Sequence, residues 1–140
     1  MSLSYKYETE HCYPDVLDLE RILRSMSLSG AEAYRSNPEA FFQDFVACHD
    51  WVLNVLPCLH NHGKHLPRFV TDIKAVVERF VGRELHTDAF LVACHEQGLS
   101  LSGVGKFQQV KVPSMARVAE VLPRWNEYIA EKIEAQRAAA

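Results

Sequence analysis

The chain has 140 residues and a mass of 15.9 kDa, the size of one ordinary domain, and such a chain buries roughly two-thirds of its unfolded surface without cross-links. Hydrophobic residues make up 48% and charged residues 24%, with six Gly and six Pro, which excludes collagen-like, low-complexity and intrinsically disordered chains. The net charge of −3 excludes a globally basic nucleic-acid binder, although residues 1–63 carry four basic and nine acidic side chains and residues 64–140 eleven and nine, so any polyanion contact falls to the second half.

The first segment, residues 4 to 13, places Tyr5, Tyr7 and Thr9 on one side of an alternating pattern, which predicts a short strand or an extended arm over residues 1–13. Pro14 ends it. From residue 15 the period changes to that of a helix, with Val16, Leu19, Ile22, Leu23 and Met26 on one stripe, and Ser29-Gly30 closing it. A helical turn over 31–35 follows. Asn37-Pro38 is a strong helix start, because Asn37 can cap free amides while proline in the first turn sacrifices no hydrogen bond. Phe41, Phe42, Phe45, Val46, Cys48, Val52, Leu53, Val55 and Leu56 then make a helix apolar around most of its circumference, the signature of a central helix.

The next stripe, Leu66, Phe69, Val70, Ile73, Val76, Val77, Phe80 and Val81, predicts a helix that Gly82 ends. Thr87 or Asp88 is the expected cap of another, through Ala89, Phe90, Leu91 and Cys94 to Gly98. Residues 98–113 read as a loop leading to a short strand at 107–112, which could pair with residues 5–9. Ser114 is the expected cap of a last helix with Met115, Val118, Leu122, Trp125, Ile129 and Ile133 inward, a kink at Pro123, and a frayed tail over 134–140. The expected fold is therefore mainly α: one domain over 1–140 of about five helices in an orthogonal or bundle-like arrangement, with a minor two-stranded β pair. Phe45, Leu53, Phe69, Ile73, Val76, Phe80 and Trp125 are its expected shared core, and truncating Phe69 to alanine is expected to cost roughly 3–5 kcal/mol.

Four constellations touch on chemistry. Residues 88–109 have the outline of a helix-turn-helix, with Cys94, Gly98, Leu99, Val104 and Phe107 near the locking positions; as a DNA-binding regulator the chain would read DNA with Ser102, Lys106, Gln109 and Lys111. Gly103 and Gly105 oppose that second helix. Cys58-x-His60-x-His62-x-x-His65 puts three imidazoles and a thiol within eight residues, so His60, His62 and His65 are the candidate ligands of a zinc ion and the core of a metal-dependent enzyme reading. His49-Asp50 resembles the metal-binding dipeptide of HD-type phosphohydrolases, but no histidine lies between His11 and His49 to complete that set. The cysteines Cys12, Cys48, Cys58 and Cys94 are spaced by 36, 10 and 36 with no CxxC pair, so they read as free thiols in a reducing compartment.

No phosphate-loop fingerprint, secretory leader or membrane-spanning run is legible, and the expectation is a soluble, cytoplasmic protein. With neither catalytic residues nor a cofactor assigned, the leading expectation is a non-enzymatic helical accessory or regulatory protein that binds a macromolecule. A protein partner comes first, with homodimerisation as one form and DNA as the alternative; no membrane is expected.

Overall fold

The computed structural model describes residues 16–25, 36–59, 65–103, 107–113 and 117–139. Among these, the elements in chain order are α1 (Val16–Ser25), α2 (Pro38–Asp50), a π turn (Trp51–Val55), a 3-10 turn (Leu56–Cys58), β1 (Leu66–Phe69), α3 (Val70–Val81), α4 (Thr87–Glu96), β2 (Leu101–Ser102), β3 (Gln109–Val112) and α5 (Val118–Ala139). The fold is mainly α, with a three-stranded antiparallel sheet in the order β1-β3-β2 rather than a two-stranded pair. The expected turn at 31–35, the arm at 5–9 and the Ser114 cap lie outside the described residues.

Two helices form the centre. In α2, Asn37 Oδ1 accepts the Ala40 N–H at 3.2 Å and Pro38 occupies the first turn, so the start is built as the sequence dictates. Phe41, Phe45, Val46, Ala47 and Cys48 are all buried, and α2 packs most extensively against α4, where every residue from Asp88 to Cys94 is buried. Leu19 and Leu23 of α1, and Val70, Ile73, Val77 and Phe80 of α3, close the core around this pair. The start of α4 uses His86 rather than Thr87 or Asp88: His86 Nδ1 accepts the Asp88 N–H at 3.1 Å. At the other end, Gly98 N–H bonds to His95 O and Leu99 N–H to Cys94 O, both at 3.0 Å, with Gly98 at φ +75°, which is the paired closure of a Schellman motif.

The helix expected from Leu66 begins four residues later. Leu66 and Phe69 fall on the stripe of α3 by spacing, yet Pro67 has no N–H to give a helix and pushes Leu66 towards extended backbone. Residues 66–69 instead pair with β3, in the register Leu66↔Val112, Pro67↔Lys111, Arg68↔Val110 and Phe69↔Gln109. Proline is tolerated there because β1 is an edge strand. Phe69 is consequently 42% exposed, which overturns its assignment to the core and with it the large cost expected of its truncation. Leu53 is 51% exposed as well, since the buried arc of its turn runs through Trp51, Val52 and Val55 and leaves Leu53 at the flank. Phe45, Ile73 and Phe80 are buried as expected, with Val76 and Trp125 packed partly against the core.

Leu101 and Ser102 are strand, Gly103 sits at φ +79°, and β3 runs from Gln109, so no helix starts at Ser102; residues 104–106 lie outside the described residues. Val110 and Val112 point into the core, so burial of the inner face of β3 decides the local structure. The last helix, α5, contains Pro123 and continues to Ala139, past residue 134 where fraying is expected. It has no fully buried residue and rests on the body through Val118, Val121, Leu122 and Trp125.

Candidate functional site

After Asp50 the central helix widens into a π turn, with the Leu56 N–H bonding back to Trp51 O, and tightens into a 3-10 turn around Pro57. A proline at 57 cannot continue an α ladder, because it has no donor and its ring presses on the carbonyl one turn back; an irregular turn ahead of it relieves both problems. Cys58 Sγ then meets Asn54 O at 3.5 Å, and Arg117, at the entry to α5, donates its N–H to Leu59 O at 3.0 Å, bringing the start of α5 beside this turn.

Between the irregular turn and α5 lies a cleft of about 420 Å³, lined by Asp50, Asn54, Val55, Cys58, Val121, Arg124, Trp125 and Tyr128. Its polar side is an exposed pair one helical turn apart, Asn54 Nδ2 donating to Asp50 Oδ1 at 2.8 Å. Burial raises the Asp50 carboxyl above its ordinary value, only partly opposed by the Asn54 hydrogen bond and by His49. Among the described residues no Lys or Arg forms an ion pair with Asp50. Trp125 forms a fixed wall: its Nε1–H donates to Phe80 O at 2.9 Å, and its ring lies 6.3 Å from Phe80 and 5.6 Å from Tyr128. Tyr128 is 46% exposed, and Lys132 Nζ stands 5.4 Å from its ring centroid. The cleft thus has apolar and aromatic sides, one carboxylate, one amide and one guanidinium.

His49, the neighbour of Asp50, points elsewhere. It is 8% exposed, stacks at 5.4 Å on Phe45 and shares a 2.7 Å hydrogen bond with the Gln97 side chain. Burial lowers its pKa, with Glu96 and Asp50 opposing. Gln97 in turn lines a second, smaller cavity of about 250 Å³ with Val52, Leu53, Leu56, Pro57, His65, Leu99 and Pro113.

The structure describes only some of the residues singled out by sequence. His60 and His62 lie outside the described residues, His65 is exposed just before β1, and His95 is exposed beside Glu96. Among the described residues no three of His, Cys, Asp and Glu are grouped so as to hold a metal ion. Ser102 lies in β2, and Gln109 and Lys111 lie in β3, so none of these three stands on a helix; Lys106 is outside the described residues. Arg117 is engaged by Glu120 through two hydrogen bonds of 3.0 and 3.1 Å. Cys48 and Cys94 are buried thiols whose pKa values burial pushes up, which makes them poor nucleophiles, whereas Cys58 is exposed at the cleft. The cleft itself escaped the sequence reading, because its two walls are far apart in the chain; its one local sign was the run of Asp50, Asn54 and Pro57 breaking an otherwise apolar helix.

No protein-family model, curated protein or solved structure matches this chain. Among the described residues no helix is long and apolar enough to cross a membrane.

Proposed function

We propose that the chain is a small helical binding module that recognises a segment of a protein partner in the cleft between the irregular turn and α5. The observation that carries this reading is the lining of that cleft: apolar and aromatic walls with a few convergent polar groups, in a volume within the range of pockets that take a side chain cluster or a small ligand. Cys58 meets a backbone carbonyl rather than a base, and the carboxylate, amide and guanidinium are groups that orient a bound segment through hydrogen bonds. Aromatic and arginine side chains are also those that concentrate binding energy at interfaces.

Selection of a random peptide library on the immobilised protein tests the reading. The wild type is expected to enrich a family of peptides, and Val121→Arg, which fills the cleft from α5, is expected to lose them while keeping its helical circular dichroism. Equal enrichment by the filled variant, or no enrichment by the wild type, overturns the assignment.

A further inference from the structure

We infer that the outer edge of β1 takes an extended segment of a protein partner, with an acidic residue opposite Arg68 and an apolar residue opposite Leu66, at a site whose residues are separate from those of the cleft. Among the described residues β1 is an end strand of the sheet. Val70 N–H bonds to Gln108 O at 2.9 Å, and in the register Leu66↔Val112 to Phe69↔Gln109 the backbone groups of Leu66 and Arg68 therefore turn to β3, while those of Pro67 and Phe69 turn away from it. The outer edge thus presents the Pro67 carbonyl and the Phe69 N–H on either side of Arg68, the Phe69 carbonyl belonging to the start of α3. An acceptor and a donor so placed are the complement of an antiparallel peptide strand.

Charge decides which strand. From residue 51 to 71 and from 97 to 119 the chain holds no Asp or Glu but holds Lys64, Arg68, Lys106, Lys111 and Arg117, whereas the remainder carries ten basic and eighteen acidic side chains. The fold brings these two acid-free segments together as the three strands. Residues 60–64 and 104–106 lie outside the described residues and contain no carboxylate in their sequence. Arg117 is engaged by Glu120, so the charge of the sheet itself is that of Arg68 and Lys111, both exposed. The flanking carboxylates in the chain are Asp72, in the first turn of α3, and Glu96, beside His95. Opposite charges on directly facing residues favour strand pairing and like charges oppose it. Arg68 therefore selects an acidic residue, and Leu66, 49% exposed and next on the same face, selects an apolar one two residues further along the partner. A second copy of the chain is the wrong occupant, because the two-fold register that joins Phe69 N–H to Pro67 O sets Arg68 against its own copy.

The peptide acetyl-Thr-Thr-Glu-Thr-Leu-Thr-amide, its counterpart with lysine in place of glutamate, and oligothymidylate test the site when each is titrated into the full chain at low salt and followed by NMR at the Phe69 amide. The glutamate peptide is expected to shift that amide and to bind about five-fold more tightly than the lysine peptide, the spread between an opposite-charge and a like-charge pair across strands. Arg68→Gln, an exposed substitution, should cut the preference to less than about two-fold. N-methylation of the threonine after the glutamate removes the donor to Pro67 O and should abolish binding, whereas N-methylation of the glutamate, whose N–H faces away from β1, should leave it intact. Val121→Arg, which fills the cleft, should leave it intact as well. Equal binding of the two peptides, equal effects of the two N-methyl groups, or no shift at Phe69 overturns the edge assignment and leaves the cleft reading standing. Loss of the peptide in Val121→Arg places it in the cleft and also overturns the edge. A shift of the Phe69 amide with oligothymidylate at lower concentration than with the glutamate peptide makes this a nucleic-acid surface, and a shift that grows with protein concentration alone makes it a self-pairing one; either result overturns the proposal.

Discussion

Gly82 and Gly103 both sit at positive φ, +87° and +79°, but their surroundings differ. A Cβ on Gly82 would meet nothing within 4 Å, whereas on Gly103 it would lie 2.8 Å from the backbone oxygen of Phe107. Alanine in the left-handed region costs about 1–2 kcal/mol, partly offset by its lower entropy when unfolded. Gly82→Ala is therefore expected to lose about 1 kcal/mol or less. Gly103→Ala should lose more than about 2 kcal/mol, because backbone must move as well. Urea midpoints at constant m-value measure both. His49 supplies a second expectation at this scale. Its folded pKa is lowered, so the native state binds fewer protons than the unfolded chain, and stability must fall as pH drops from the unfolded value of 6.5 towards the folded value. Asp50 has the opposite sign: its raised pKa means that stability is gained as pH falls through the carboxylate range above 3.8. Wild type should thus lose more stability than His49→Gln between pH 7.5 and pH 5.5. Equal losses would show that His49 is not the titrating group.

Loops and strands are set by groups that a periodicity reading cannot see. The loop 82–86 is staked from two helices: Asp44 of α2 pairs with Arg83 and accepts the His86 N–H at 3.0 Å, while Glu78 of α3 accepts the Leu85 N–H at 2.7 Å and Lys74 at 3.1 Å. Arg83 is over one-third exposed, so its ion pair is worth little, whereas the His86 amide is left without its acceptor if Asp44 is removed. Asp44→Ala should then cost about 1–3 kcal/mol and Arg83→Ala less than about 1 kcal/mol in chemical denaturation. A larger effect of Arg83 would make the ion pair the true anchor. Phe80→Ala should cost roughly 3–5 kcal/mol and Phe69→Ala only about 1 kcal/mol, in keeping with their burial. That contrast also marks how far the sequence was legible. The stripes of α1, α3 and α4, the Asn37-Pro38 start and a strand near 107–112, of which 109–112 forms, follow from local chemistry. Leu66 and Phe69 mislead because four residues of edge strand happen to extend the helical stripe, and only Pro67 argues otherwise. The cleft was illegible because Asp50 and Trp125 meet through tertiary packing, and nothing in the spacing of Asn54 and Pro57 specifies a π turn.

At the scale of the molecule, α5 differs from the other helices in being held from one side. At the centre α2 and α4 pack on each other through their buried residues, but α5 has no fully buried residue and is fastened by the packing of Val118, Val121, Leu122 and Trp125, the Trp125 hydrogen bond to Phe80 O and the Arg117 hydrogen bond to Leu59 O. Elements with little buried surface open at lower free energy than the whole chain unfolds. Hydrogen exchange should therefore show amides of α2 and α4 exchanging only with global unfolding, and those of α5 through a smaller opening. Trp125→Ala should deepen the difference, removing both the ring packing and the hydrogen bond, so that α5 exchanges faster while α2 and α4 keep their protection. Trp125→Phe, which keeps much of the packing, should fall between the two. One wall of the cleft belongs to the stable centre and the other to α5, so a peptide bound between them is linked to that opening: ligand present at 100 times its Kd would stabilise the closed form by about 2.7 kcal/mol, slowing α5 exchange by about 100-fold. Protection of α5 that rises with peptide concentration, with α2 and α4 unchanged, is the expected result. Uniform protection across all helices would instead show that α5 is part of a single cooperative unit.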